Sequence, residues 1–555
     1  MASPRSSWCG LALTSLAAAS RRSAYGAPEG SVLPSIAVDR SGLRGERERM
    51  RRAAADVEGT AAAARVGREK PTPLGEHLRD LVSVRGPIPI ASFMAEALTS
   101  PLGGYYTTRS GDDVFGARGD FVTAPEVSQV VGELIGVWAA LVWRAMGEPK
   151  KWRLVEVGPG KGTLMADLLR GTAPSSSATF SAFRSSLQEV CLVEVSDTLA
   201  ARQAAALGGD AEEIRTRLDE RRRSGSPSIV RLDADETKHP PRPTLSWHEE
   251  LASVPQDMPE VVILHELMDA LPVHQFVKVA DDDAGAGRRG VEWRERLVDV
   301  AGDDDNDQRE GTSPYNLRFV LSPGPTPASF TVLRRRLDMM PPGAAARIEN
   351  IEVCPRALAM AEELANRAST TGGASLIIDY GEDHPSDSSL RAIRKHRLVH
   401  PLSRPGESDL SCGVDFSALR DAVEHLKRGN ASPSAVHATG HGTISQADFF
   451  HAMGIVPRME MLGRNAATDA ERDEIRKAYV RLVGTGDEKV ARDTDQGGHD
   501  SQHESQFSPR EEGMGIAYKC FAITADSIGI PPAFLPVPPS PPSHDDDSVR
   551  DRGPL

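Results

Sequence analysis

Cysteine is scarce in this chain. There are five in 555 residues (Cys9, Cys191, Cys354, Cys412 and Cys520), and none forms a C-x-x-C pair. A set so scattered builds neither a disulfide framework nor a zinc site, so the thiols read as reduced and mostly buried. Long apolar runs are also missing. No stretch approaches the ~20 residues a membrane helix needs, and the chain reads as a soluble protein. Internal repeats are absent. A phosphate-binding P-loop is excluded, because Lys161 stands between Gly160 and Gly162 and no G-K-[ST] follows. Positive charge is in deficit as well: the formal net charge of −14 argues against general nucleic-acid binding. The deficit is uneven, since residues 1–70 carry 12 Lys and Arg against 7 Asp and Glu.

What is present centres on Leu154-Val-Glu156-Val-Gly158-Pro-Gly160-Lys-Gly162-Thr-Leu164. Two apolar residues run into an acid, three glycines follow at every second position, and a helical pattern begins. A buried parallel strand breaks into a tight loop and restarts as a helix in this way. Glycine lets a ligand lie close on the backbone, and the helix start offers free N–H groups. A dinucleotide fingerprint would read G-x-G-x-x-G with its selecting acid on the second strand. Here the acid Glu156 lies inside the first strand and the last glycine comes one place early. That spacing resembles motif I of class I S-adenosylmethionine (SAM) methyltransferases, although an ordinary strand–helix turn would also fit this stretch taken alone.

Other stretches narrow the reading. Val190–Ser196 forms a second strand with Glu194 at its carboxyl end, where an acid can accept both hydrogens of a ribose diol. Val261–Leu264 feeds His265, Glu266 and Asp269, with Pro272 as a breaker. Three titratable groups within five positions at a strand end mark a site. Ser375–Gly381 is a further buried strand ending in an acid, Asp379. Upstream, Thr123 and Glu126 read as a capping box with Pro125 in the first turn. They open a long helix whose apolar face runs from Val127 to Val142, ends at Gly147 and Pro149, and is expected beside the strand at Leu154. Ser92 is a candidate N-cap of an earlier helix.

The segments Val273–Val279, Val291–Val300 and Leu317–Leu321 alternate like antiparallel strands. Ala357–Ala368 reads as a helix, Gly442–Phe450 as a capped helix start and Gly515–Thr524 as a last strand. Residues 1–28 hold Arg5, Arg21 and Arg22 but no acid, which fits an organellar transit peptide. Residues 29–70 read as a linker and 71–530 as one domain, helical over 71–150. Insertions are expected near 170–186, 221–258, 281–311 and 484–512, and residues 531–555 form a proline- and aspartate-rich tail.

Together these pieces resemble the MidA-like family of SAM-dependent methyltransferases, whose mitochondrial members are complex I assembly-factor arginine methyltransferases. The matching blocks are Gly119–Gln129, Gly132–Gly136, Leu154–Leu164, Leu192–Ser196, His265–Phe276, Val353–Pro355, Asp379–Gly381, Asp415–Phe416 and Gln446–Ile455, in order. The resemblance implies an α/β fold: a Rossmann-like class I core with a mostly parallel seven-stranded sheet and added helical elements. It implies the cofactor S-adenosyl-L-methionine and no metal. It further implies symmetric dimethylation of arginine on a peripheral-arm subunit of respiratory complex I, in the mitochondrial matrix, with no nucleic-acid partner. Glu266, Asp269 and His265 are then the catalytic candidates. Glu156, Gly158, Gly160, Gly162, Glu194, Asp120 and Thr123 are the cofactor-binding ones. A SAM-binding scaffold without required turnover, or a dinucleotide-dependent oxidoreductase, are the alternative readings.

Overall fold

The computed structural model describes residues 71–108, 123–224, 229–232, 243–281, 290–300, 317–395, 397–429, 437–484 and 513–535. Residues 1–70, Asp120, residues 485–512, most of the 282–316 segment and residues 536–555 lie outside the described residues. The expected transit peptide, linker and low-complexity run fall there.

The elements that position the site are, in chain order, α1 (Val130–Ala145), β1 (Trp152–Val157), α2 (Thr163–Gly171), β2 (Leu187–Val193) and α3 (Asp197–Ala206). Then come β3 (Ile229–Leu232), β4 (Thr244–His248), β5 (Glu260–His265), α4 (Pro355–Thr371), β6 (Ala374–Glu382), β7 (Val414–Asp415), β8 (Ala438–Ser445) and β9 (Tyr518–Ala525). The main sheet runs β8-β9-β6-β5-β1-β2-β4-β3, with β7 also pairing β6. The contiguous strands β6, β5, β1, β2 and β4 are parallel. β9 is antiparallel to both β6 and β8, and β3 is antiparallel to β4. The sheet therefore has nine strands among the described residues, rather than the expected seven.

Side chains alternate across a strand, so each parallel strand feeds two cores. Leu154 and Ile263 face Trp138 and Leu164 on the α1–α2 side. Val155, Val262 and Leu264 face Leu358 and Ala361 of α4 on the other. Burial on both faces is why these strands read as apolar runs.

Several expectations change in detail. β4 lies inside the span read as irregular insertion. Its Leu245 and Trp247 are buried, and β3 covers its outer edge. Near 170–186 a helix, Ala178–Ser186, brings Phe183 against Trp152 in the core. The chain at Thr123 makes only a short turn, Ala124–Val127. Ser128 then goes extended (φ −159°, ψ 138°) before α1 begins. α1 lies on the Leu154 face of the sheet, in one apolar cluster with that residue, and also packs closely along α2. A Cβ at Gly132 would lie 2.6 Å from Leu164 O, so the helices cross this closely only because Gly132 has none. The helix expected at Ser92 starts at Ile90, with no side-chain cap.

The three alternating segments do pair antiparallel, as His274–Asp281, Gly290–Val300 and Leu317–Leu321. With Ile88–Pro89 and Asn350–Val353 they form a second, five-stranded sheet. A small third sheet (Arg391–Arg394, Arg397–Val399, Asp409–Ser411) is tied to the rim of the main sheet, where Cys412 N donates to Asp269 O (2.8 Å).

Candidate active site

The glycine loop leaves β1 with Gly158 N donating to Val193 O (3.0 Å) and turns tightly through Gly162 N to Pro159 O (2.8 Å). Gly158 has φ +71°, and a Cβ there would fall 2.7 Å from Leu267 Cδ1. Gly162 (φ +81°) is in the same left-handed region, so the N-terminus of α2 opens directly onto the loop.

Glu156 is buried beneath that loop. Burial, and next the charge of Glu194, pushes its carboxyl up to about 8. Glu194 stands just past β2. Its Oε1 accepts from Ser196 N (2.7 Å) and its Oε2 from Gln203 Nε2 (3.0 Å). Burial raises it to about 7 against those bonds. Gln203 also donates to Gly160 O (2.8 Å), and its Oε1 accepts from Trp247 Nε1 (2.9 Å). One buried amide on α3 thus fixes the acid relative to the loop, and β4 fixes the amide. Sequence reading missed this pair. The available signal was a glutamine set among the alanines of α3.

The ends of β5 and β6 form the second half of the rim. Glu266 holds φ +50°, a backbone conformation unusual for a side chain of this size. Its N–H donates to Ile378 O (2.9 Å), and its Oε1 accepts from Ala124 N (2.9 Å). Burial pushes Glu266 up to about 8, with Asp269 and Glu126 adding to the rise. Asp269 is pushed up to about 6 by burial, held back chiefly by Arg391. Asp379 rises well above the carboxylate range through burial and Asp269. Its Oδ2 accepts from Leu267 N (3.0 Å) and Met268 N (2.7 Å), which locks the Glu266–Asp269 turn. Asp379, absent from the sequence-based site set, is thus a positioning group.

His265 closes β5 at 3.7 Å from Glu266 Oε1, beyond hydrogen-bond reach, and burial lowers it to about 4. It is neutral at pH 7. Around these groups stand Tyr518, Tyr106, which donates to Asp409 Oδ1 (2.8 Å), and Tyr380, whose ring lies 4.1 Å under the Arg391 guanidinium.

The expected capping box is not made. The Thr123 hydroxyl accepts no cap hydrogen bond, and Glu126 Oε1 instead pairs with Lys161 Nζ (2.7 Å). A charged donor on the glycine loop outcompetes a backbone amide, so the turn is clasped to the loop. Asp120 lies outside the described residues.

The loop, Glu194 and the β5–β6 rim converge at the carboxyl edge of a parallel sheet, where such folds hold ligands. Three buried polar atoms there, Glu126 Oε2, Glu156 Oε2 and His265 Nε2, have no partner among the described residues. Buried acids with unused acceptors below a glycine loop fit a ligand carrying positive charge.

Residues 134–432 match the family described as "Putative S-adenosyl-L-methionine-dependent methyltransferase". The chain belongs to the MidA-like family of SAM-dependent methyltransferases. It is 34% identical over 416 residues to the mitochondrial protein arginine methyltransferase NDUFAF7 of Rattus norvegicus, covering 74% of this chain and 81% of the relative. The Drosophila melanogaster homolog is 35% identical over 416 residues, at 74% and 81% coverage. A crystal structure from Burkholderia thailandensis, bound to S-adenosyl-homocysteine, shares the fold. It has a TM-score of 0.54 and 22% identity, over 90% of this chain and 99% of that one. Family membership makes SAM the cofactor of this methyltransferase and removes the dinucleotide alternative.

Proposed function

We propose that this methyltransferase acts on protein arginine, forming symmetric dimethylarginine on a peripheral-arm subunit of complex I in the mitochondrial matrix. The relatives' names support the arginine acceptor and the mitochondrial setting. The symmetric product and the complex I subunit rest on the family resemblance.

When bound, SAM supplies an electrophilic methyl group and a neutral thioether leaving group. Gly158, Gly160 and Gly162 would hold its amino-acid and adenosyl portions, Glu194 its ribose and Glu156 its ammonium. Asp120 and Thr123 would close over it.

The acceptor sets the harder problem. A guanidinium pKa lies above ~12, so complete deprotonation near pH 7 would cost roughly 7 kcal/mol at about 1.4 kcal/mol per unit. Glu266 and Asp269 lower that cost by acting during transfer. Their carboxylates hold the guanidinium as a bidentate pair, and Glu266 takes the proton lost as the nitrogen gains the methyl. Positive charge stays on the methylated guanidinium, and the carboxylate leaves as a neutral acid. Burial keeps Glu266 protonated in the ligand-free site, and the arriving guanidinium favours its ionised form, so binding of the cation itself readies the carboxylate that takes the proton. His265, neutral and out of reach of Glu266, packs behind the carboxylates and takes no proton in this scheme.

The observation that carries the reading is the trio Glu266, Asp269 and Asp379. They are buried together at one strand rim, and each is raised by burial. A trio so destabilised when ionised is matched by an incoming cation. The test is mass spectrometry of arginine methylation on complex I subunits with and without this protein, alongside Glu266→Gln. Unchanged methylation by that variant would sink the assignment.

A further inference from the structure

A second concavity opens next to the rim. Tyr380 and Glu382 at the end of β6, the Arg347–Asn350 segment and the His384–Ser389 turn enclose a cleft of about 600 Å³. That volume lies in the range of ligand-binding clefts. Tyr380 is the wall shared with the rim. Its ring meets Tyr518 edge-on at 6.1 Å, and Tyr518 feels the charges of Glu266, Asp269 and Asp379. The cleft thus begins two rings away from the carboxylates. The Arg391 guanidinium sits 4.1 Å from the Tyr380 ring centre, so this wall is one that a cation can face.

The floor is tightly built. Ser389 Oγ donates to Glu352 and accepts from Gly413 N (2.7 Å), and Glu352 N donates to Ser386 O (2.9 Å). The walls carry Glu349, Glu382 and Asp387 against Arg347. Glu349, Glu382 and Asp387 are all exposed, and Glu382 lies 3.3 Å from Lys519.

We propose that this cleft docks the acceptor polypeptide, taking a basic side chain that flanks the methylated arginine. This rests on the reading of the rim as an arginine site. The argument is one of continuity and charge: a firm-floored, net acidic groove shares an aromatic wall with the reacting carboxylates. A flanking cation there steers the chain so that its arginine falls on Glu266 and Asp269.

The test uses the full chain and a fluorescein-labelled synthetic peptide with one central arginine and lysines on both flanks. Anisotropy gives its affinity, and mass spectrometry gives methylation of the same peptide. Two variants attack the groove differently. Glu349→Lys with Asp387→Lys reverses its charge. Gly413→Val fills it, because a Cβ there already lies 3.5 Å from Ser389 Cβ and 3.6 Å from Tyr380 Cε1. Each variant should weaken peptide binding about tenfold or more while leaving SAM affinity unchanged. Wild-type protein that does not bind the peptide, or unchanged affinity in both variants, overturns the docking assignment. Binding that is lost in the variants, with no methyl on arginine in the wild type, upholds the cleft and overturns the arginine reading instead.

Discussion

The two ends of the parallel sheet treat buried acids in opposite ways. At the amino ends, Glu260 of β5 accepts from both Nε and Nη2 of Arg367 on α4 (2.7 and 2.8 Å), with both side chains 1% exposed. Glu189 of β2 accepts from Arg153 Nε of β1 (2.9 Å) and pairs with Arg231 (2.7 Å). Burial raises Glu189, but the bond and charge of Arg153 outweigh it and hold the carboxyl below its ordinary value. At the carboxyl ends, Glu156, Glu194 and Glu266 stand at about 8, 7 and 8. The hydrogen bonds given to Glu194 and Glu266 come from backbone amides and Gln203. By exposed area Glu260 (1%) and Glu189 (5%) are as buried as Glu156 (3%), so loss of solvent alone does not separate them. For Glu189 and Glu260 the difference from Glu156, Glu194 and Glu266 lies in a hydrogen-bonded protein cation, although at the carboxyl rim Glu126 pairs with Lys161 and Asp269 feels Arg391. Where that bond is made, the acid is scaffold. Where it is not, the cation is left to a ligand, and both substrates of an arginine methyltransferase bring one.

The sharpest way to break this contrast is to remove one acid from each end. Glu266→Gln keeps size and shape but cannot take a proton. It should lower kcat by on the order of 10³-fold while SAM affinity stays within about twofold. Steady-state kinetics with a SAM-binding titration checks this, and a kcat within tenfold of wild type would return Glu266 to a structural role. At the other end, Arg367→Ala leaves Glu260 buried and unpaired. It should cost about 3–4 kcal/mol in a denaturant melt, with kcat per folded molecule unchanged. Replacing Arg367 and Glu260 together with apolar residues of similar volume should recover most of that loss.

The same contrast explains what was legible in the sequence. β1 was expected at Trp152–Val157 and is found there, because both its faces are covered and its apolar run has glycines at one end. Glu194 and the His265–Asp269 cluster were legible because an acid directly after an apolar run stands out. β4 was not. It is five residues long and enclosed by charge and proline, and it becomes a strand only by pairing with β2. Gln203 and Trp247 were missed for the same reason: their role depends on contacts 43 and 44 residues apart in the chain. The capping box at Thr123 failed through competition, since Lys161, 35 residues downstream of Glu126, offers the stronger partner. Local pattern located the acids, whereas tertiary contact decided which of them are free to meet a ligand.

Opposite pH responses follow from the two ends. A carboxyl raised in the folded state holds its proton where the unfolded chain has released it. Glu156 and Glu194 therefore make ligand-free stability fall as pH rises from about 4.5 to about 8. Glu189, depressed in the folded state, acts the other way: its stabilisation is present above its unfolded value and lost on acidification. The ligand-free melting temperature should thus decline between pH 5 and 8, and Glu156→Gln should flatten the decline. SAM affinity should move in the opposite direction. Its ammonium requires ionised Glu156, so affinity should weaken by roughly fiftyfold from pH 8 to pH 6, with proton release on binding. Calorimetry in buffers of different ionisation enthalpy measures that release. SAM affinity independent of pH in wild type and Glu156→Gln alike would remove Glu156 from the ammonium site.

The smallest effect concerns the turn clasped over the loop. Ser445 is a working N-cap, accepting from Asp448 N (3.0 Å), and Ser445→Ala should cost about 1 kcal/mol. Thr123 occupies the same position of its own helix without making that bond. Thr123→Ala should therefore cost less than about 0.5 kcal/mol in a denaturant melt. A cofactor-facing role gives a different signature, in which stability is nearly unchanged while SAM affinity falls several-fold. Measuring both quantities on both variants separates a threonine that holds the helix from one that faces the ligand. If Thr123→Ala destabilises as much as Ser445→Ala, the hydroxyl is a cap after all, and the Glu126–Lys161 clasp has not displaced it.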